Sequence, residues 1–314
     1  MPNLAIVSRN YRAYEKAFNE LQSRNEINDI ELLWANEHAD GAPLDDFEFV
    51  LANPNIMSRY INKCSRLQWL QSTWAGINTL VTQDKRDYEL TGLKHIFGAQ
   101  MREYVLAYVL YFQRKIPELL VNQQQHTWQQ HHIPTLQEQT IGIMGLGSIG
   151  KEVATAAKAF GMNVASLTSS SLPSEADTHF HLDKLHDFAN SADVIVNLLP
   201  HTERTTGICD TAFFERMKNS AIFINAGRGN VIKDDIDLVN ALNQRQLRAA
   251  VIDVFKQEPL PKEHLFWNTP NLIMSNHTAA TSQHELVFSV FEDNLLKKLK
   301  NLPLESRINF KSGY

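Results

Sequence analysis

Three polar side chains stand just beyond short apolar runs in the last third of the chain. Arg228 lies within Asn225-Ala226-Gly227-Arg228-Gly229, Glu258 within Asp253-Val254-Phe255-Lys256-Gln257-Glu258-Pro259, and His277 within Met274-Ser275-Asn276-His277-Thr278-Ala279-Ala280. A guanidinium flanked by glycines can point into a crevice and bind carboxylate and carbonyl oxygens together through its planar fork. An imidazole can donate a proton as a general acid. A carboxylate can hold that imidazole in place and favour its protonated form. Taken singly, the three could be a surface arginine, a solvated glutamate and a core histidine. Their joint occurrence after successive strands is what points to a catalytic trio.

The glycines indicate a second chemistry. The chain has 13, and four of them, Gly142, Gly145, Gly147 and Gly150, fall within residues 142–150. Residues 140–144 read as a strand, Gly145-Leu146-Gly147-Ser148-Ile149-Gly150 follows at once, and Lys151 onward reads as a helix that stops at Gly161. In that setting Gly145 makes the tight turn, Gly147 lets a pyrophosphate approach the backbone, and Gly150 lets helix and strand pack closely. The anion then sits on the free N–H groups of the helix N-terminus. Gly145, Gly147, Ser148, Ile149 and Gly150 are therefore candidate cofactor contacts.

The next strand, 164–167, ends where an NAD-specific domain carries an acid for the ribose 2′-hydroxyl. Here Thr168, Ser169, Ser170 and Ser171 stand in its place. No carboxylate repels a 2′-phosphate, and the hydroxyls can donate to one. The reading is NADP preferred and NAD possible, with Thr168, Ser169 and Ser170 as contacts. The other reading is a serine-rich loop chosen only for its turn.

These residues need a scaffold, and the pattern supplies one. Apolar runs at 4–7, 31–34, 49–52 and 68–72 precede the glycine motif, and runs at 164–167, 194–199, 221–225, 249–254 and 272–274 follow it. Helical stretches at 11–24, 151–160, 183–189 and 235–243 separate them. Buried strands alternating with helices predict an α/β protein with two doubly wound parallel-sheet domains. A helix over 100–120, with Met101, Val105, Val109, Phe112, Ile116 and Leu120 on one stripe, marks one domain crossing. The second lies at Ser282-Gln283-His284-Glu285, which has the form of a capping box. It opens a helix with Leu286, Val287, Val290, Phe291 and Leu295 on one side. The domains are thus expected at 1–99 with 282–314, and at 100–281.

Composition sets the outer bounds. The net charge is −5, from 30 basic and 35 acidic residues, which gives no reason to expect nucleic acid as a partner. The longest apolar run, 104–112, is far shorter than the roughly 20 residues that span a bilayer. The first residues show no secretory signal. Two cysteines, Cys64 and Cys209, form no disulfide framework, so a cytoplasmic location is expected. His126, His131 and His132 share a polar segment with no Cys or carboxylate, which reads as a connecting loop and not a metal site.

The order strand, G-x-G-x-x-G, then the NAGRG, DVFxxEP and His-Thr-Ala-Ala segments, resembles the D-isomer-specific 2-hydroxyacid dehydrogenases over nearly the whole chain. Trp74-Ala75-Gly76 and Ala99-Gln100-Met101-Arg102-Glu103-Tyr104 place the resemblance closest to glyoxylate/hydroxypyruvate reductases. The resemblance implies a Rossmann dinucleotide-binding domain plus a smaller flavodoxin-like substrate domain. It implies that a small 2-oxo acid is reduced to the D-2-hydroxy acid, with Arg228 on the substrate, His277 as proton donor and Glu258 behind it. It further implies that Ala75 and Gly76 anchor the substrate carboxylate and Trp74 walls the pocket. Asp253 would hold the nicotinamide amide, and Pro200, His201-Thr202 and Ala226 would border the cofactor. A homodimer is expected through the 100–120 helix. Relatives place proline before the histidine; Asn276 here is expected to leave that backbone less constrained. A dinucleotide-sensing regulator, and a formate or phosphite dehydrogenase of the same family, remain alternatives that an oxo-acid panel separates.

Overall fold

The computed structural model describes residues 1–24, 27, 29–169 and 175–310. The chain divides into two compact units, one made of Met1–Ile96 and Ser282–Tyr314, the other of Phe97–Thr281.

The first unit holds a parallel sheet of β1 (Asn3–Val7), β2 (Glu31–Asn36), β3 (Phe49–Ala52), β4 (Trp69–Ser72) and β5 (Glu89–Thr91), in the order β2-β1-β3-β4-β5. That is the flavodoxin-like order, with its topological switch between β1 and β3. Four consecutive residues of β1, β3 and β4 are buried, as strands covered on both faces must be. The C-terminal helix His284–Leu299 returns to this sheet, where Phe291 stacks on Trp69 at 5.4 Å.

The second unit holds seven parallel strands: β6 (Thr140–Met144), β7 (Asn163–Leu167), β8 (Thr178–Phe180), β9 (Val194–Asn197), β10 (Ile222–Asn225), β11 (Ala249–Ile252) and β12 (Leu272–Met274). Their order is β12-β11-β10-β9-β6-β7-β8, the Rossmann order with its reversal at β6. Alternate residues feed opposite cores. Ile195, Phe223, Ala250 and Ile252 join one face with Phe188, Phe213 and Phe214. Val194, Val196, Ile222, Ile224, Ala249 and Val251 join the other with Val105, Val109, Val153 and Ala157. The period-two alternation covers the sheet on both sides.

Several expectations need correction. The 100–120 helix is two helices, Gly98–Gln113 and Ile116–Gln124, separated by Lys115 at φ 54°. Pro117 explains the break. It lacks an N–H and fits only the first turn of a helix, so the second helix must start anew. The Phe112 carbonyl at the break accepts from Lys115 N at 3.0 Å and from Arg248 Nη2 at 2.8 Å.

The capping box does not form. The C-terminal helix starts at His284 with Gln283 as N-cap and no side-chain cap bond. Leu286 is exposed, and Phe288 faces inward in its stead. Buried Asn294 sets this rotation: it donates to Gln71 Oε1 at 3.0 Å and accepts from Glu305 N at 2.8 Å. Strands β5 and β8, of three residues each, and the helix Thr211–Arg216 show no periodicity in the sequence.

Candidate active site

The motif after β6 lies at the sheet reversal, where the crevice of a doubly wound sheet opens. Gly145 has φ +94°, a conformation that a side chain resists, and a Cβ on Gly150 would stand 2.4 Å from the Gly145 carbonyl oxygen. The space a Cβ would occupy at Gly147 has no atom within 4 Å. Gly147 caps the helix Ser148–Ala159, whose first turn holds no acid and whose N-terminus has no side-chain cap. An open cradle in front of uncapped N–H groups fits a dinucleotide pyrophosphate. Ile149 packs against the core beneath.

At the end of β7, Thr168 donates from N to the Phe180 carbonyl at 3.2 Å, and its own carbonyl lies 3.2 Å from His181 Nδ1. Ser169 is exposed, and Ser170 lies outside the described residues. Lys158, the cation nearest in sequence, pairs with Asp177 at 2.9 Å. The sequence carries no signal for the histidine beside Thr168, because the three-residue β8 whose register brings it there has no periodicity.

Two buried asparagines end the neighbouring strands β9 and β10 in register. Asn197 Nδ2 donates to Asn225 Oδ1 at 2.8 Å. Asn225 Nδ2 donates to the Arg228 carbonyl at 3.1 Å, and Leu199 N donates to Asn197 Oδ1 at 3.2 Å. The pair therefore shapes both following loops, the one with Pro200 and the one with Ala226 and Arg228. Their signal in the sequence is a polar residue closing two successive apolar runs. A Cβ at Gly229 would lie 2.1 Å from the Phe255 carbonyl carbon, so the Arg228 turn packs directly on the loop leading to Glu258. Arg228 donates from Nη1 to the Gly227 carbonyl at 2.6 Å. Among the described residues no carboxylate oxygen lies within 4.0 Å of its guanidinium. Burial lowers its pKa against the pull of Glu258.

His277 Nδ1 and Glu258 Oε2 are 2.7 Å apart, while Glu258 Oε1 accepts from Phe255 N at 2.9 Å. The bond to Glu258 raises the His277 pKa; burial opposes it, the charges of Glu258 and Asp253 add to it, and Arg228 works against it. Burial pushes Glu258 up, but its bonds from His277 and Phe255 N, with the charges of His277 and Arg228, outweigh this and lower its pKa. With Nδ1 committed to the carboxylate, Nε2 is the free end of the imidazole.

Asn276 and His277 are both left-handed, at φ 55° and 58°. Each such residue costs about 1 kcal/mol or more and persists where its surroundings over-determine it. A proline at 276, fixed near φ −65°, has no access to this conformation. The loop is thus not looser for lacking proline. Buried Asp253 accepts His277 N on its main-chain oxygen at 2.7 Å and Thr278 N on Oδ1 at 2.8 Å. Ala279 N reaches Oδ1 at 3.1 Å and Oδ2 at 3.2 Å.

In the first unit, Trp74 follows β4 in a turn held by Ser72, whose Oγ donates to the Trp74 carbonyl at 2.7 Å. Asn53 Nδ2 donates to Thr73 Oγ1 at 2.6 Å. The N–H groups of Ala75 and Gly76 have no partner among the described residues. Two adjacent free N–H groups on a fixed turn are suited to an anion.

A Rossmann sheet with a glycine cradle at its reversal, and an arginine and a carboxylate-backed histidine in loops after later strands, define an NAD(P)-dependent oxidoreductase. The profile of the D-isomer specific 2-hydroxyacid dehydrogenase NAD binding domain matches residues 106–279, more than half of the chain, and the chain belongs to that family. It is 36% identical over 266 residues to glyoxylate/hydroxypyruvate reductase A of Serratia proteamaculans, across 80% of this chain and 82% of that one. A D-isomer specific 2-hydroxyacid dehydrogenase family protein of Aeromonas salmonicida superposes with a TM-score of 0.89 at 34% identity, over 98% and 99% of the two chains. The apo NADPH-dependent glyoxylate/hydroxypyruvate reductase of Sinorhizobium meliloti matches 66% of this chain and 83% of its own, with a TM-score of 0.60 at 29% identity.

Proposed function

We propose that this protein reduces a small 2-oxo acid of the glyoxylate/hydroxypyruvate class to the D-2-hydroxy acid, with NADPH preferred. The observation that carries this reading is the 2.7 Å His277–Glu258 pair, in the same unit as a guanidinium that has no carboxylate oxygen within 4.0 Å among the described residues. When bound, the reduced nicotinamide supplies the hydride that C2 receives. Arg228 holds the substrate carboxylate and the carbonyl oxygen, and so favours the charge that builds on that oxygen. His277 holds a proton at Nε2 and releases it to the same oxygen, while Glu258 keeps Nδ1 engaged. In the first unit, taken as the substrate domain, the N–H groups of Ala75 and Gly76 bind the carboxylate and Trp74 shapes the pocket. Gly145, Gly147, Ser148, Ile149, Gly150, Pro200 and Ala226 border the cofactor. The Asp253 carboxylate holds the His277 loop, mainly through Oδ1, and its Oδ2 is the group we propose for the nicotinamide amide. Following loss of reduced-nicotinamide absorbance with a panel of oxo acids tests the whole reading; turnover of neither glyoxylate nor hydroxypyruvate overturns it.

The cofactor preference follows from what is missing beside Thr168. A carboxylate there would bind the 2′-hydroxyl of NAD and repel the 2′-phosphate of NADP, so its absence moves preference one way on both counts. The hydroxyls of Thr168 and Ser169 can donate, and the His181 imidazole beside Thr168 adds a third polar group. NADPH should be favoured by roughly ten- to a hundredfold in specificity constant, ~1.4–3 kcal/mol, the worth of one or two charge-assisted hydrogen bonds. Thr168→Asp should reverse this. Equal constants, or better use of NADH by the unmutated protein, would show that the hydroxyl cluster is only a turn.

The assembly proposed is a homodimer working in the cytoplasm. Leu119, Leu120 and Val121 of the second helix, and Trp128 beyond it, are exposed, Trp128 at 93%. So much apolar surface on one short stretch calls for cover, and a two-fold partner offers the same stretch in return. Two free, buried thiols suit a reducing compartment. Sedimentation at micromolar concentration should show particles of twice the 35.8 kDa chain mass. Particles of single mass would refute the dimer.

A further inference from the structure

The loop that carries His277 is tied to a helix distant in sequence through two hydroxyls. Ser275 Oγ donates to Asp253 Oδ1 at 2.7 Å, and Tyr104 Oη lies 2.6 Å from Ser275 Oγ. The serine proton is committed to the carboxylate, so the phenol is the donor in the second bond. Tyr104 sits on the helix Gly98–Gln113, packed edge-on against Tyr108 at 4.9 Å. Burial raises its pKa, so it remains a donor through the working range. The same Oδ1 takes the N–H groups of Thr278 and Ala279, and the Asp253 carbonyl takes that of His277. Three consecutive amides thus end on one residue, and the Ser275 hydroxyl, backed by Tyr104, shares the hold on its carboxylate with the amides of Thr278 and Ala279.

We propose that Tyr104 and Ser275 are positioning residues for the proton donor. Through Asp253 they hold Asn276 and His277 in the left-handed turn that keeps the imidazole against Glu258. This rests on the reading of His277 as the acid. Neither hydroxyl need touch substrate or cofactor. A loosened Oδ1 relaxes the turn, lengthens the His277–Glu258 bond, and weakens the interaction that favours the charged imidazole. The groups facing His277 are Glu258, Asp253 and Arg228, and only the first two favour its charge.

The test uses the full chain with Tyr104→Phe, Ser275→Ala and Ser275→Thr, measuring kcat, KM and the pH profile of reduction. Tyr104→Phe and Ser275→Ala should each lower kcat by about tenfold, leave KM for NADPH unchanged, and move the alkaline limb to lower pH. Ser275→Thr, which keeps the hydroxyl, should restore both. Reduced melting temperature with an unmoved pH limb would make the hydroxyls merely structural and overturn the proposal, as would unchanged kcat in both variants. His277→Ala serves as the control. If that variant keeps its turnover, the acid is elsewhere and the broader reading fails; if it is inactive while the hydroxyl variants are normal, only the positioning role fails.

Discussion

Replacing His277 by alanine should lower turnover in the reducing direction by about a hundred- to ten-thousandfold, the usual worth of a placed general acid, while the affinity for NADPH stays near the wild-type value. The split follows from geometry. The imidazole is held by the loop after β12 and by Glu258, whereas the glycine cradle is built on β6 and the helix Ser148–Ala159. The wild-type pH profile carries a second mark. With His277 as the proposed acid, reduction needs the protonated ring, and the bond to Glu258 raises its pKa. Activity is therefore fully present below that raised pKa and falls as pH climbs through it. Glu258→Gln keeps an oxygen near Nδ1 but removes the charge, so the fall should begin at lower pH. Stopped-flow turnover and fluorescence titration of NADPH across pH give both answers. A histidine variant with near-wild-type turnover would falsify the assignment.

How much of this was legible in the sequence depends on the kind of signal each feature leaves. Arg228, Glu258 and His277 were visible because each follows an apolar run short enough to be a buried strand, and parallel strands place their C-terminal ends on one edge. The glycine cradle was visible because only a backbone task concentrates a scarce residue at 145, 147 and 150. Asn197 and Asn225 leave an ambiguous signal, since a polar residue at a strand end also reads as the first residue of a loop. Their role appears only when β9 and β10 pair in register. The same holds for His181, brought beside Thr168 by the three-residue β8. The left-handed turn at Asn276 and His277 is a product of Asp253, 23 and 24 residues upstream. Local sequence states that a proline is missing there, but not that its absence is what the turn requires. The unformed capping box teaches the converse: Ser282 and Glu285 have the right spacing, yet the buried amide of Asn294 and the stack of Phe291 on Trp69 decide how the helix begins and which face turns inward.

Arg228→Lys should cost on the order of a hundredfold in kcat/KM, although charge is conserved, because two charge-assisted hydrogen bonds are lost at ~1.5 kcal/mol or more each. An ammonium at that position cannot span carboxylate and carbonyl oxygens with two parallel donors while another N–H stays on the Gly227 carbonyl. The loss should divide between the two constants. The carboxylate contact is made equally in ground and transition states, so its removal raises KM; the carbonyl contact strengthens as charge builds, so its removal lowers kcat. The alkaline limb should not move to lower pH, since the His277–Glu258 pair is untouched, and this separates the variant from Glu258→Gln. There is also a stability signature. Burial depresses the pKa of Arg228, and no carboxylate among the described residues lies within 4.0 Å to offset the burial. A desolvated cation that has the Gly227 carbonyl but no close carboxylate among the described residues adds little to the resting fold, so Arg228→Met should be inactive yet melt at a temperature no lower than wild type, as expected where a site trades stability for binding. An unchanged specificity constant for glyoxylate and hydroxypyruvate in Arg228→Lys, or a marked loss of melting temperature in Arg228→Met, would mean that the guanidinium serves the fold and not the substrate.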